Sequence, residues 1–171
     1  MKNIVLTGFM ASGKTEISKA IAANSQFSMV DTDELVIELE GKSINAIFEE
    51  KGEAYFREAE REAVKKASQM QYVVIATGGG VVLDPRNMTE LRRTGLVFYL
   101  SPTFEVIEQR LCAAAATRPL LRGQEIEEVR KRFEQRLPYY EQYDYKIPVI
   151  QGRTPNSYAL EILQIFEKVN K

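Results

Sequence analysis

Short apolar runs alternate with longer amphipathic stretches along this chain. The apolar runs are rich in β-branched residues and are bounded by turn residues, which is typical of buried strands. The five predicted strands cover residues 4–6, 27–30, 72–76, 96–100 and 146–150. The stretches between them have helical spacing, and strands that alternate with helices favour a parallel sheet with helices on both faces. The pattern therefore predicts an α/β fold.

Local signals indicate where several helices begin and end. The first helix is predicted over residues 14–23, where the apolar positions share one face. Ser43 is expected to cap a helix that ends at Gly52. Three pairs have the form of an N-cap followed by proline at the first helical position, namely Asp84-Pro85, Ser101-Pro102 and Thr154-Pro155.

Two segments depart from simple alternation. Residues 33–62 contain two helical stretches with no strand between them, which indicates a helical excursion over the edge of the sheet. Within residues 112–124, the stretch ATRPLLRGQ breaks the helical pattern and predicts a second excursion. Cys112, at its start, is expected to be a buried helical residue.

The composition narrows the class of protein. A chain of 171 residues with 44% hydrophobic and 27% charged residues is expected to form one domain, 1–171. Its net charge of −1, from 23 basic and 24 acidic residues, argues against nucleic-acid or membrane partners. No apolar run approaches the ~18 residues of a membrane helix, and the N-terminus does not have the form of a signal peptide.

The counts of cysteine and histidine limit the chemistry. The single cysteine excludes internal disulfides and fits a reducing compartment, so a cytoplasmic location is expected. There is no histidine. Any proton transfer must therefore use carboxylates, lysine, tyrosine or solvent.

The segment GFMASGKT, residues 8–15, matches G-x-x-x-x-G-K-[ST] between a predicted strand and an amphipathic helix. In this arrangement successive backbone N–H groups and the helix N-terminus bind phosphates. Lys14 can reach the β- and γ-phosphates, and the Thr15 hydroxyl can bind Mg²⁺. The segment and the residue after it predict a nucleoside triphosphate site formed by Ala11, Ser12, Gly13, Lys14, Thr15 and Glu16.

Two carboxylates follow the second predicted strand. If the chain stays extended, Asp31 and Asp33 project from one face, at the sheet edge where the glycine loop lies. A divalent cation would relieve their repulsion. We assign Asp31 to the metal and Asp33 to the hydroxyl of a substrate. On local grounds alone, an Asx-turn or helix cap is the alternative.

A second glycine cluster and three arginines are candidates for substrate contact. Thr77–Gly80 follows the third strand, where glycines permit positive φ and close approach of a ligand, although a simple turn is equally compatible. Arginine recognises carboxylates and phosphates through two parallel hydrogen bonds. Arg118, in the second excursion, suits a lid over the phosphates, which leaves Arg57 and Arg136 for an anionic acceptor. Each of these arginines could equally be a solvated surface charge.

Together these motifs resemble the shikimate kinase family over nearly the whole chain. The matching pieces are GFMASGKT, VDTDELVIELEGKSINAIFEEKGEAYFREAE, ATGGGVV, RPLL, RLPYY and GRTP. The resemblance implies a three-layer P-loop kinase fold similar to nucleoside monophosphate kinases, with a five-stranded parallel sheet, a helical substrate-binding subdomain (33–62) and a lid (112–124). It implies transfer of the γ-phosphate of ATP to the 3-hydroxyl of shikimate, on the route to chorismate and the aromatic amino acids. We expect a monomer.

The resemblance also implies roles for individual residues. Those expected to bind shikimate are Asp33, Arg57, Gly78, Gly79, Gly80 and Arg136. Asp33 would hold and deprotonate the hydroxyl, while Lys14 and Arg118 would stabilise the transferring phosphoryl group. Thr15 and Asp31 would hold Mg²⁺. Those expected near adenine are Arg110, Arg153 and Pro155.

Some positions depart from the family pattern, and two other functions remain open. Ala11 stands where the family often has glycine, which should be tolerated if its φ is negative. Tyr143 and Asp144 stand where smaller, less polar residues are expected. One alternative is another small-molecule kinase, such as a gluconate or nucleotide kinase. The other is a catalytically silent, ATP-binding regulator.

Overall fold

In the computed structural model, which describes residues 2–115 and 123–171, five parallel strands form one sheet. The strands are β1 (Asn3–Thr7), β2 (Ser28–Asp31), β3 (Val73–Ala76), β4 (Gly95–Pro102) and β5 (Tyr145–Val149). Their order across the sheet is β2-β3-β1-β4-β5. The register pairs Val5 of β1 with Ile75 on one side and with Val97 on the other. The prediction of a five-stranded parallel sheet is confirmed.

Helices connect these strands and cover both faces of the sheet. They are α1 (Lys14–Ala23), α2 (Thr32–Glu40), α3 (Ile44–Gln69), a 3₁₀-helix (Val81–Leu83), α4 (Pro85–Thr94), α5 (Phe104–Ala115), α6 (Gly123–Tyr140) and α7 (Pro155–Val169). As predicted, α2 and α3 follow β2 with no strand between them. Ser43 caps α3 through a hydrogen bond from the Ala46 N–H (3.2 Å), and Gly52 interrupts that helix with φ 82° and ψ 175°.

The core has two layers because successive residues of a strand face opposite sides of the sheet. Val5 packs with the side that carries α3, α4 and α6. Ile4 and Leu6 pack with the side that carries α1 and α7. All five residues of β1 are buried, so the central strand carries the glycine loop on a rigid base.

Of the three predicted caps that precede proline, two are confirmed. The Asp84 side chain accepts from the Arg86 N–H (2.9 Å), and that of Thr154 accepts from the Ser157 N–H (3.2 Å).

The prediction at Ser101-Pro102 is wrong, because both residues extend β4. They pair with Pro148 and Val149 of β5, while the pairing with β1 has already ended at Tyr99. Beyond Tyr99 the strand no longer pairs with β1, so the missing N–H of Pro102 costs no hydrogen bond between strands on that side. The helix that follows begins at Phe104 instead.

The expectation that Cys112 is buried is also wrong. Cys112 lies on α5, as expected of a helical residue, but its side chain is exposed. The apolar face of α5 is occupied by residues earlier in the helix, such as Phe104 and Ile107. Leu111 still packs against this core, but the next residue is rotated by about 100° around the helix axis, so Cys112 lies off that face.

Tyr143 and Asp144, which depart from the expected pattern, are both well accommodated. The Tyr143 ring stacks on Tyr99 at a centroid distance of 5.8 Å. Asp144 accepts a hydrogen bond from the Val97 N–H (2.8 Å) through Oδ2 and forms an ion pair with Arg92 (3.0 Å) through Oδ1. The polar residue therefore satisfies a backbone donor at the start of β4.

Within the described parts of the chain, no helix has the length and apolarity needed to cross a membrane.

Candidate active site

The carboxyl ends of β1, β2 and β3 meet at one edge of the sheet, where they line a cavity of about 350 Å³. Its walls are Met10, Ala11, Gly13, Lys14, Thr15, Glu16, Asp31, Asp33, Thr77, Gly78 and Gly79. This is the edge at which ligands bind in open parallel sheets. The structure thus brings the glycine loop, the carboxylate pair and the second glycine cluster together around one space.

The glycine loop has the geometry of an anion site. Gly13 precedes α1 with φ 96°, a left-handed conformation that favours glycine, and no side chain caps the helix. The N–H groups of the first turn are therefore available to a phosphate, and the helix dipole favours its negative charge.

Ala11 departs from what we expected of it. Its φ is +60°, not negative, so a residue with a Cβ occupies the left-handed region. Such a conformation costs of order 1–3 kcal/mol and persists only where the surroundings impose it. The Ala11 carbonyl accepts a hydrogen bond from Arg110 Nη1 (2.8 Å), which helps to hold this conformation.

Lys14 lies folded against its own loop. Its ammonium group donates to the carbonyls of Gly8 (2.6 Å) and Phe9 (2.9 Å). Burial lowers the pKa of Lys14 to about 8, although Asp33 and Asp31 oppose the shift. A phosphate at the loop would add negative charge beside the ammonium and favour its protonated form.

Asp31 is a helix cap as well as a lining residue of the cavity. Its Oδ1 accepts from the N–H groups of Asp33 (2.8 Å) and Glu34 (3.3 Å), and it starts α2. The expectation of an extended segment through Asp33 is therefore wrong, because the helix begins at Thr32. The two carboxylates still share the cavity, since the first turn of α2 returns Asp33 to it.

Asp33 lies in a setting that suits a proton acceptor. Burial and the Asp31 carboxylate raise its pKa above the ordinary value, while Lys14 and Arg57 oppose the rise. A carboxylate whose pKa is raised toward the working pH is a better base than an exposed one. Its Oδ1 would be 2.5 Å from a Cβ placed on Gly78, so only glycine leaves room for it.

The second glycine cluster lies at the centre of the site, in contact with three predicted acceptor residues. A Cβ built on Gly79 would lie 3.5 Å from Arg136 Nη1, and one on Gly80 would lie 2.9 Å from the Arg57 Cζ. With Asp33 against Gly78, each glycine faces a different predicted acceptor residue. None of the three glycines has positive φ. Gly78 and Gly80 are therefore needed for close approach, whereas a Cβ at Gly79 would make an ordinary van der Waals contact.

Two residues that sequence reasoning missed hold parts of this site in place, Glu60 at Arg57 and Tyr140 at Gly79. Glu60 is 2% exposed and accepts a hydrogen bond from Arg57 Nη1 (2.8 Å). Burial raises the pKa of Glu60, and its hydrogen bond with Arg57 opposes the rise. The available signal was the i,i+3 spacing within FREAE. Tyr140, one turn after Arg136, donates to the Gly79 carbonyl (2.6 Å).

A second cavity, of about 250 Å³, adjoins the outer side of the glycine loop. It is lined by Ala11, Gly13, Glu16, Ile17, Arg110, Arg153, Pro155 and Tyr158. The three residues predicted near adenine thus lie together beside the loop. Arg153 packs over the Tyr158 ring at 4.1 Å and pairs with Glu161 (2.6 Å).

The remaining predicted residues concern the metal and the lid. Thr15 and Asp31 offer oxygen ligands on the wall of the larger cavity, which suits a hard cation such as Mg²⁺. In the described ranges, no three His, Cys, Asp or Glu side chains form a group able to hold a metal. Mg²⁺ bound beside phosphates keeps several waters and takes other ligands from the phosphates, so it does not require such a group. Arg118, with most of the predicted lid, lies outside the described residues.

Comparison with known proteins agrees with this arrangement. A family model described as Shikimate kinase matches residues 10–167. The chain is 44% identical to the shikimate kinase of Caldanaerobacter subterraneus subsp. tengcongensis, covering 99% of this chain and 98% of that protein. It is 41% identical to that of Thermoanaerobacter pseudethanolicus, covering 100% and 99%. Among solved structures, Acinetobacter baumannii shikimate kinase in complex with shikimate superposes with a TM-score of 0.88 at 29% identity, covering 99% of this chain and 94% of that one.

Proposed function

The chain belongs to the shikimate kinase family, and from that premise we propose that it transfers the γ-phosphoryl group of ATP to the 3-hydroxyl of shikimate. Members of this family use ATP as the phosphate donor. The product, shikimate 3-phosphate, leads to chorismate and the aromatic amino acids. The observation that carries the proposal is the set of contacts of Gly78, Gly79 and Gly80, which gathers one carboxylate and two guanidinium groups beside Lys14.

The acceptor site follows from the charges around the glycine cluster. Arg57 and Arg136 bind the carboxylate of shikimate, because paired guanidinium groups match its charge and planar shape. Glu60 holds Arg57 in position through the 2.8 Å hydrogen bond. The backbone of residues 78–80 lies against the acceptor, and a side chain at Gly78 or Gly80 would displace Asp33 or Arg57 from it.

The transfer step uses Asp33 and Lys14. Asp33 holds the 3-hydroxyl and takes its proton as the oxygen forms a bond to the γ-phosphorus. The bond from that phosphorus to the β–γ bridging oxygen breaks, and ADP leaves with the electron pair. Lys14 and Arg118 neutralise the charge on the transferring group. Mg²⁺, held by Thr15 and Asp31, would supply further charge neutralisation.

The donor site extends from the glycine loop to the smaller cavity. The N–H groups at residues 11–16 bind the phosphates, and Arg110, Arg153 and Pro155 enclose adenine. We place the substrate-binding subdomain at residues 33–62 and the lid at 112–124. We also propose that the enzyme is a monomer, and that it works in the cytoplasm, where its single cysteine stays reduced.

The direct test is to identify the product. The purified protein is incubated with MgATP and shikimate, and the phosphorus signal of the product is followed by NMR. The proposal predicts ADP and a monophosphate whose phosphorus couples to the ring proton at C3. A phosphate at another hydroxyl, or no organic phosphate while ADP still accumulates, would contradict it.

A further inference from the structure

Tyr140, the last residue of α6, links two parts of the acceptor site. Its hydroxyl donates a hydrogen bond to the Gly79 carbonyl (2.6 Å). The hydroxyl and the guanidinium of Arg136, one helical turn earlier, both lie against Gly79: a Cβ built there would be 3.8 Å from the Tyr140 oxygen and 3.5 Å from Arg136 Nη1. Since Tyr140 is only 1% exposed, water does not compete for the bond to Gly79.

The tyrosine ring is held from the sheet side. It stacks on Tyr99 of β4 with centroids 5.2 Å apart and an interplanar angle of 3°. Tyr99 in turn stacks on Tyr143. Because β4 pairs with both β1 and β5, the stack ties the hydroxyl to a rigid part of the molecule.

We propose that Tyr140 is a positioning residue for the acceptor: its hydroxyl fixes the Arg136 guanidinium and the Gly79–Gly80 peptide relative to each other. A trans peptide is planar, so fixing the Gly79 carbonyl also fixes the Gly80 N–H, which points the opposite way. A backbone donor and a guanidinium are thereby oriented before the acceptor binds. This inference rests on the proposed function.

The protonation state of Tyr140 suits this role. Burial raises the pKa of its hydroxyl well above the ordinary value, and the charge of Arg136 opposes the rise. The neutral phenol has one proton to give and lone pairs to accept. It can therefore donate to Gly79 while it offers a lone pair to the neighbouring Arg136, whereas a tyrosinate could not donate.

The test compares Tyr140→Phe with wild type and with Tyr143→Phe. Tyr140→Phe keeps the stacked ring and removes only the hydroxyl, while Tyr143→Phe removes a hydroxyl from the same stack that has no hydrogen bond to Gly79. We expect Tyr140→Phe to raise the KM for shikimate about 10-fold, as for a buried carbonyl left without its donor, with the KM for MgATP within about 2-fold. Tyr143→Phe should leave both values unchanged.

A second comparison tests whether Tyr140 acts through Arg136. In an Arg136→Lys background, Tyr140→Phe should raise the KM for shikimate by clearly less than 10-fold, because the partner it orients is already lost. An unchanged shikimate KM in Tyr140→Phe, an equal rise in both KM values, or a full effect in the Arg136→Lys background would each overturn the proposal. If Tyr140→Phe lowers the Tm, calorimetric titration with shikimate well below that Tm decides between the outcomes.

The inference and the proposed function fail in different ways. If wild type does not respond to shikimate, the function is wrong. If wild type phosphorylates shikimate and Tyr140→Phe binds it normally, only the role of Tyr140 is wrong.

Discussion

Asp33 carries the chemical step in this account, so its substitution has a specific expected result. Asp33→Asn keeps the size of the side chain and removes the proton acceptor. We expect turnover to fall by about 10²–10⁴-fold while MgATP affinity stays nearly intact. Steady-state kinetics and calorimetric titration with MgATP measure the two quantities. Turnover near that of wild type would mean that orientation and electrostatics suffice.

Two comparisons support the interpretation of that variant. Glu34→Gln neutralises the next, exposed carboxylate of the same helix turn and should leave turnover unchanged. In wild type, Asp33 must be ionised, so the rate should fall as the pH drops through its raised pKa. That acid limb should lie above the ordinary aspartate value of about 3.9 and disappear in Asp33→Asn.

The lowered pKa of Lys14 predicts a second pH dependence, in which activity falls as the pH rises. Its pKa in the nucleotide-free enzyme is about 8, and only its protonated form pairs with phosphate. The kcat/KM for ATP should therefore fall as pH rises through about 8, since that ratio reports on the free enzyme. The corresponding fall in kcat should occur at a higher pH, because bound phosphates favour the protonated lysine. A kcat/KM that stays flat to pH ~10 would contradict this.

Ala11 should be a position where glycine stabilises the protein. Its φ of +60° is strained for alanine, and glycine removes the strain at the cost of a more flexible unfolded chain. We expect Ala11→Gly to raise the free energy of unfolding by about 1 kcal/mol in denaturant titrations. Ala20→Gly, inside α1, should lower it by a similar amount. Equal destabilisation by both would show that Ala11 is unstrained.

At the scale of elements, apolar pattern and turn chemistry predicted most of the fold. Helix α1 has the predicted bounds, and the chain breaks at Gly52 as its residue type suggested. Ser101-Pro102 was misjudged because strand pairing with β5 overrides a local cap signal. Cys112 was misjudged because its residue type alone does not show that it lies beside the apolar face of α5, next to Leu111, which packs against the core.

Gly52 offers a test at this scale. Its φ of 82° and ψ of 175° are essentially restricted to glycine, and they form the kink between the two halves of α3. Gly52→Ala should lower the free energy of unfolding by roughly 2 kcal/mol or more. Gly41→Ala, at φ 66° and ψ 18°, should cost only about 1 kcal/mol. A Cβ has nothing within 4 Å at either site, so the difference reports backbone strain alone, and equal costs would refute it.

In the whole molecule, the order of the strands sets the order of the candidate binding segments along the edge of the sheet. From β2 to β1, the strand ends carry Asp33, the glycine cluster and the phosphate loop, and beyond β5 the loop before α7 reaches the smaller cavity. Motif spacing predicted which segments meet at this edge. It did not predict the contacts of Gly78, Gly79 and Gly80, nor Glu60 and Tyr140, because those depend on how α3 and α6 pack over the sheet.

The most direct test of the account is ADP release from MgATP with a panel of acceptors. The panel contains shikimate, quinate, gluconate, AMP and no acceptor. We predict strong stimulation by shikimate alone, because two guanidinium groups and one carboxylate suit a hydroxylated carboxylic acid of that shape. Stimulation by another acceptor would retain the ATP site and contradict the roles of Arg57 and Arg136. No stimulation by any acceptor, with ATP still bound, would show a silent nucleotide-binding protein.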